Sequence, residues 1–433
     1  MSRRKPRGRA GAASDGNQHA SSRERVRFPK PVSIKIEAPA NWLELLPPRE
    51  ELTRDVLARA RQLGFAAVGV APAEPSQQIA ELQTWLEAGA HGSMDFMAKD
   101  IALRADPRGH LQGTRAFLMV ADVYASREAN TQLGSEITPP GFGKIARYAQ
   151  GRNYHNVMKR RLHTLADALR KAYPGSDFRS FVDTAPVLER ELAMRAGLGW
   201  QAKNSMLIHP KLGSYILLAG AATNLPLVAI AQEDVITDAC GSCTRCIDAC
   251  PTNAITPRRV DASRCISYLT IEHTIPIAPD LQSKVGNWLY GCDICQEVCP
   301  HNSPRDASFL AELLTSSQPV DPAVNSAYLP TRTGFVALDV LNWNDAARRD
   351  AFVNSAMKRA PLAVMRRNAV LVMGNTLAAE ILANPGSLTL DQRNVMNAAL
   401  VRVANNPAED SLVSLAAKDV LQRLASLQNQ QQP

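Results

Sequence analysis

All eight cysteines of this chain fall between Cys240 and Cys299, and their spacing leaves few folds open. The segment CGSCTRCIDACP sets Cys240, Cys243, Cys246 and Cys250 at C-x2-C-x2-C-x3-C-P. In such a run the loop wraps three thiolates around one cubane, the proline turns the chain away, and the fourth cysteine ligates the other cluster of a pair. A second set follows: Cys265 alone, then CDICQEVCP with Cys292, Cys295 and Cys299. Crossing over the fourth ligands assigns Cys240, Cys243, Cys246 and Cys299 to one [4Fe–4S] cluster. Cys250, Cys265, Cys292 and Cys295 then serve the other, with none spare. Two zinc sites would favour separated C-x2-C pairs and have no use for the x2-x2-x3-Pro run. A secreted disulfide scaffold would scatter its cysteines, so a reducing cytoplasm is the expected compartment. The clusters imply one-electron transport and say nothing of where the electrons go.

The 433 residues allow two to four domains. No apolar stretch approaches the roughly 20 residues of a membrane span. The formal charge of +8 misleads as a whole, because residues 1–30 carry nine Lys/Arg against Asp15 and Glu24. The remaining 403 residues are near neutral, at +1. Residues 1–35 read as a disordered basic tail with too few apolar residues to fold. It is either a non-specific nucleic-acid arm or a solvated start.

Between 48 and 235, strands expected at 65–73, 116–125, 178–186 and 214–220 alternate with helices at 49–63, 78–88, 154–172 and 188–196, which implies an α/β layer domain. Residues 236–305 form the ferredoxin-type two-cluster module. Residues 306–345 read as a linker with short helices. From 346 to 433 the helix-length apolar patterns at 362–375, 390–406 and 412–425 are separated by Asn-Pro turns, as in HEAT-like repeats or a plain helical cap. Two Gly-x-Gly-x-x-Ala strings, at Gly141 and Gly197, lack the strand-then-helix context of a dinucleotide fingerprint and read as turns.

Several long segments resemble epoxyqueuosine reductase, the family that performs the last step in making the tRNA base queuosine. They are FVDTAPVLERELAMRAGLGWQAKNSMLIHPKLGSYILLAG, CISYLTIEH, YGCDICQEVCPHN, MDFM with LRADPRG, ARYAQGRNYH and RRNAVLVMGN. The resemblance covers about 50–430. It implies an α/β cobalamin-binding domain beside the two clusters, and reduction of the epoxide of epoxyqueuosine at the tRNA wobble position. With no Asp-x-His-x-x-Gly string, the corrin is expected base-off without a protein ligand under cobalt.

By the same resemblance Asp183 matches the family's proton donor. Burial beside Phe181 and Val182 is expected to raise its pKa and keep it protonated; a helix-capping Asp is the plain alternative. Arg104, Tyr148, Lys203, Asn204, Ser205, His209, Ser214, Ser267 and the Cys292–Asp293 backbone fall in stretches expected to meet the corrin, and Trp200 in the core. For the tRNA the basic pairs Arg348-Arg349, Lys358-Arg359 and Arg366-Arg367 either track phosphates or form a solvated helix face. Glu272 and His273 are expected near the anticodon loop. The partners expected are tRNA bearing epoxyqueuosine and an unidentified electron donor, with no membrane contact and a monomeric chain. A reductive dehalogenase shares the cofactor logic, but this chain lacks the twin-arginine signal usual there. A plain ferredoxin-type electron carrier is the remaining alternative.

Overall fold

The structure, a computed structural model, describes residues 38–125, 138–229, 238–303, 324–383 and 385–431. The basic tail therefore lies outside the described residues.

Chain order begins with helix α1 (Arg49–Gln62), strand β1 (Ala67–Pro72), helix α2 (Ile79–Glu87) and strand β2 (Ala116–Val123). Strand β3 (Phe142–Ile145), helix α3 (Tyr154–Ala172), strand β4 (Phe178–Val182), helix α4 (Glu189–Arg195) and strand β5 (Ile216–Thr223) follow. All but β3 match the expected positions to within a few residues. The sheet is nevertheless antiparallel throughout, in the order β1-β2-β5-β4.

Every residue of β2 is buried, as a central strand covered on both faces requires. One face carries Leu118 and Val120 against α1 and α3, which present Leu52, Val56, Met158, Leu162 and Leu165 at helical spacing. The other carries Phe117 and Met119 against Phe181 and α4, with Leu192 and Ala196. Gly69 is needed at that contact, since a Cβ there would stand 2.1 Å from the Ala196 carbonyl oxygen.

The first Gly-x-Gly string departs from its expected reading. Gly141 lies in a turn, but Gly143 lies inside β3, the central strand of a second, three-stranded sheet. Its neighbours are strand β6 (Trp288–Tyr290), parallel to it, and strand β7 (Gly334–Val336), antiparallel. The stretch 306–345, read as linker, thus supplies a strand. It also supplies the buried Ala337, Val340 and Leu341. Asp122, 1% exposed on β2, binds this stretch as well: it pairs with Arg161 of α3 and accepts a hydrogen bond from Tyr328 Oη at 2.8 Å.

Between β5 and β6 lie helix α5 (Ile266–Ile271) and short elements carrying Cys240, Cys243, Cys246, Cys250 and Cys265, while Cys292, Cys295 and Cys299 follow β6. After β7 come helices α6 (Leu362–Leu382), α7 (Leu390–Asn405) and α8 (Ser411–Gln430). Thr389 and Gln392 form a capping box at the start of α7. Helix α6 is apolar nearly all round and buried accordingly. It approaches α8 so closely that a Cβ on Gly374 would lie 2.4 Å from Val420 Cγ1.

Helix α6 is also where one sequence expectation fails. Arg367 has no exposed surface and cannot meet a phosphate. Its guanidinium donates to the carbonyls of Leu269, His273 and Ile275 and to Asn368 Oδ1. Burial pulls its pKa down to about 9. Asn368 donates in turn to Thr270 O and Leu289 O, both at 2.8 Å. Arg366 is likewise committed, to Glu409 at 2.7 Å and Leu341 O, and Arg348 to the carbonyls of Lys358 and Ala360. These arginines hold the helices to the rest of the chain. Among the described residues no helix is long and apolar enough to cross a membrane.

Arg367→Met, which keeps the stem and removes the fork, is expected to leave buried carbonyls unpaired at about 1–3 kcal/mol each. Urea denaturation followed by circular dichroism should show a clearly lower midpoint. An unchanged midpoint would mean that α6 docks by apolar packing alone.

Candidate functional site

The cysteines form two groups in space as well as in sequence. All eight are free thiols. Burial raises the Cys299 thiol pKa, and the charges of Cys240, Cys246 and Cys243 raise it further, so these four are close neighbours. Burial pushes Cys295 up to about 12, with Cys265, Asp293, Cys246 and Cys250 adding to it. Cys292 is raised by burial and by Cys265 and Cys295. Cys299 thus lies with the first run and Cys265 with Cys292 and Cys295, a grouping compatible with the crossed assignment, while Cys246 and Cys250 both reach Cys295. Among the described residues no three His, Cys, Asp or Glu side chains converge on one point, as a single zinc ion demands. A cubane takes each thiolate at a separate iron.

The loop 240–246 lies toward solvent, with Gly241, Ser242, Thr244 and Arg245 exposed. Seven of the cysteines are half-buried and Cys299 is buried, and Cys295 feels the charge of Cys246, so the two groups are neighbours.

Lys203 and Asn204 serve these loops and not an open cleft. Lys203 Nζ donates to Gly241 O at 2.6 Å and Cys243 O at 2.9 Å, and Asn204 donates to Cys295 O at 3.4 Å. Ser205 adopts φ +64°, and its carbonyl accepts from Arg190 at 2.8 Å. His209 Nδ1 accepts from the backbone N–H of Lys211 and Leu212, closing a tight turn. Ser214 has no exposed surface; its hydroxyl donates to Gln296 Oε1 at 2.9 Å, so it cannot reach a corrin. Ser267 lies half-buried, its backbone N–H on Cys265. Asp293 is 1% exposed and accepts from Arg147 N at 2.7 Å, and burial raises its pKa to about 6. Trp200 is core, packed with Cys299 and Cys240.

Next to Gly291, where a Cβ would lie 3.6 Å from the Tyr148 ring, a cluster of side chains gathers from several elements. Helix α3 starts at Tyr154 because Asn153 caps it, accepting from His155 N at 3.1 Å. This places Tyr154 and His155 on the first turn, facing the end of β4. There Asp183 accepts from Tyr154 Oη and, at 3.0 Å, from His155 Nε2. His155 Nδ1 lies 2.7 Å from Asn153 Oδ1, so a proton on either ring nitrogen finds an oxygen.

The Asp183 side chain is 41% exposed. Partial desolvation raises its pKa, but the bond from His155, its charge, the Tyr154 phenol and the charge of Arg190 outweigh this and hold it below the usual carboxylate value. The expected protonated Asp183 is thus corrected: it is an ionised carboxylate with two donors on it. Nor is it a helix cap, since the residue capping α4 is Leu188. Burial and the Asp183 charge hold the Tyr154 phenol firmly protonated. Tyr148 stacks edge-on to Tyr154 at 6.1 Å and lies 6.2 Å from Tyr290, whose pKa burial raises to about 12.

Arg104 belongs to the same cluster, 7% exposed, with burial lowering its pKa and the charge of Glu189 opposing. Among the described residues its guanidinium donates at 3.4 Å to Lys99 O and Phe96 O, which leaves further donors for another acceptor. Glu189, raised by burial, is pushed up further by Asp183. Glu272 pairs with Arg359, and His273, its pKa lowered by burial, lies 3.2 Å from Tyr268 Oη. Lys358 and Arg359 are exposed.

Sequence reasoning passed over Tyr154, His155, Glu189 and Tyr290. The first two close the segment ARYAQGRNYH, where a Tyr-His pair after a capping Asn was the available signal.

Cys299→Ala should lower iron from about eight to about four atoms per chain and remove the cluster that includes Cys240. Iron analysis with paramagnetic resonance of the reduced protein checks this. Retention of that cluster with loss of the Cys292 cluster would refute the crossed assignment.

Residues 239–302 match a family profile described as "4Fe-4S double cluster binding domain", and residues 104–184 one described as "Epoxyqueuosine reductase QueG, DUF1730". A curated epoxyqueuosine reductase of Burkholderia pseudomallei (strain K96243) is 36% identical over 384 residues, spanning 84% of this chain and 90% of its own length. That of Escherichia coli (strain K12) is 40% identical over 253 residues, spanning 58% and 65%. A crystal structure of epoxyqueuosine reductase with a tRNA-Tyr epoxyqueuosine-modified tRNA stem loop superposes with TM-score 0.68 and 25% identity, covering 87% of this chain and 99% of that one.

Proposed function

Because the chain belongs to the epoxyqueuosine reductase family, we propose that it reduces epoxyqueuosine in the anticodon loop of tRNA, with Asp183 passing the proton. The observation that carries this reading is the Asp183–Tyr154–His155 cluster. Removing an epoxide oxygen takes two electrons and two protons and releases water. The cysteine sets deliver electrons one at a time.

The residues of this cluster fit cobalamin. Arg104 offers donors suited to amide arms, the half-buried Tyr148 gives flat apolar surface, and Asp183 is a partly exposed acceptor beside them. Bound there, cobalamin would supply a reducible metal centre between the clusters and the epoxide. The chain's own part is proton supply. An ionised Asp183 cannot donate first, so it takes a proton from His155 or solvent and hands it to the departing oxygen. Tyr154, held protonated, fixes the carboxylate and moderates its basicity.

This reading places the protein in the cytoplasm, where thiols stay reduced. It makes the exposed 240–246 loop the entry for an electron donor. We read α6–α8 as a HEAT-like unit on the strength of the helix lengths and the Asn-Pro sequences at 384–385 and 406–407 that separate them, and the chain as a monomer.

Asp183→Asn keeps shape and a hydrogen-bond donor but carries no acidic proton. Turnover of an epoxyqueuosine stem-loop under anaerobic reduction, read as loss of one oxygen by mass spectrometry, should fall roughly 10²–10⁴-fold. Iron content and RNA affinity should hold. Turnover at the parent rate would move the proton donor to Glu189 or His155.

A further inference from the structure

Phe96 is the one exposed aromatic ring among the described residues, 40% exposed on the short turn Asp95–Met97. The guanidinium of Arg359 lies over it, 4.9 Å from the ring centre. Glu272 binds Arg359 Nε and so fixes the plane of that guanidinium. These residues come from three distant segments that the fold brings together at one rim. The rim adjoins the Asp183 cluster: Arg104 donates to the Phe96 carbonyl, and Arg359 feels the charges of Tyr290 and Asp183.

An exposed phenyl ring loses free energy in water unless something covers it, and Arg359 covers only part of this one. An aromatic face beside a guanidinium plane is the surface on which unpaired bases stack, whatever their identity. Chemistry on a wobble base draws that base out of the loop stack, and its neighbour then needs a new stacking partner. We infer that Phe96, with Arg359 held by Glu272, forms a stacking platform for one anticodon-loop base flanking the modified nucleotide. The inference rests on the RNA reading given above. The platform positions RNA and takes no part in proton or electron transfer. Glu272 contributes by orienting Arg359 and does not itself touch RNA.

The test uses full-length protein and synthetic anticodon stem-loops with 2-aminopurine placed at each loop position beside the wobble nucleotide in turn. The fluorescence of one position should be quenched on binding the parent protein. Phe96→Leu, which keeps apolar volume without a π-face, should abolish that quenching and weaken binding by about 5- to 150-fold, the range for one lost base stack. Phe96→Tyr should restore both. Iron and cobalamin content should be the same in all three. Unchanged affinity and quenching in Phe96→Leu would overturn the platform while leaving the RNA reading intact. Loss of cobalamin in that variant, or slower electron uptake with normal RNA binding, would also overturn it, by assigning the ring to the cofactor or to a protein donor. A parent protein that binds no stem-loop would overturn the RNA reading and the platform together.

Discussion

On the crossed ligation proposed for the two clusters, each cysteine run needs a residue from the other, and the folding of the molecule depends on that crossing. Cys240, Cys243 and Cys246 cannot enclose a cubane until Cys299 arrives, and Cys250 has no partners until Cys265, Cys292 and Cys295 are placed. Everything between must therefore fold for either cluster to form. Burial raises the pKa of Cys265, Cys292 and Cys295, so these thiols are neutral without iron and become thiolates only on binding it. Metal binding then releases protons and its free energy becomes folding free energy. The folded segment in turn offers the carbonyls of Leu269, Thr270 and Leu289, which Arg367 and Asn368 of α6 satisfy. The C-terminal helices thus dock on a surface that the clusters stabilise.

The same crossing positions the Asp183 cluster. Cys292 is followed by Asp293, whose carboxylate takes the backbone N–H of Arg147. That fixes the turn carrying Tyr148, and the chain then enters α3 with Tyr154 and His155 against Asp183. On the proposed mechanism, an ionised carboxylate between a phenol and an imidazole acts as a relay, loaded from one side and emptied to the other. A buried protonated acid would act once and then need a path for reloading.

What the sequence discloses depends on whether spacing is itself the chemistry. The cysteines were legible because C-x2-C-x2-C-x3-C-P is a loop geometry. The strands and long helices were legible through periodicity. Sheet direction was not, since alternation of strand and helix does not fix it. Asp183 could be found by resemblance, but its ionisation depends on Tyr154, His155 and Arg190, which no local pattern joins to it. Arg366-Arg367 reads alike facing in or out. The missing cue was the helix around it: residues 362–382 are apolar on all sides, so a charged side chain there had to find buried partners.

That correction changes how RNA is held. With Arg348, Arg366 and Arg367 committed to carbonyls and Glu409 and Arg359 paired with Glu272, few uncommitted cations remain in this region among the described residues, Lys358 being one, on a body that outside residues 1–30 carries a net charge of +1. Counterion release scales with the number of phosphates neutralised, so a surface this sparse supplies little non-specific affinity. Selection must then come from the base: the energy of drawing out the wobble nucleotide is offset by contacts around Asp183 and by stacking at the adjoining rim. An enzyme that must find one modified nucleotide among all cellular RNA gains by this, because a strongly basic face would hold every unmodified RNA nearly as well.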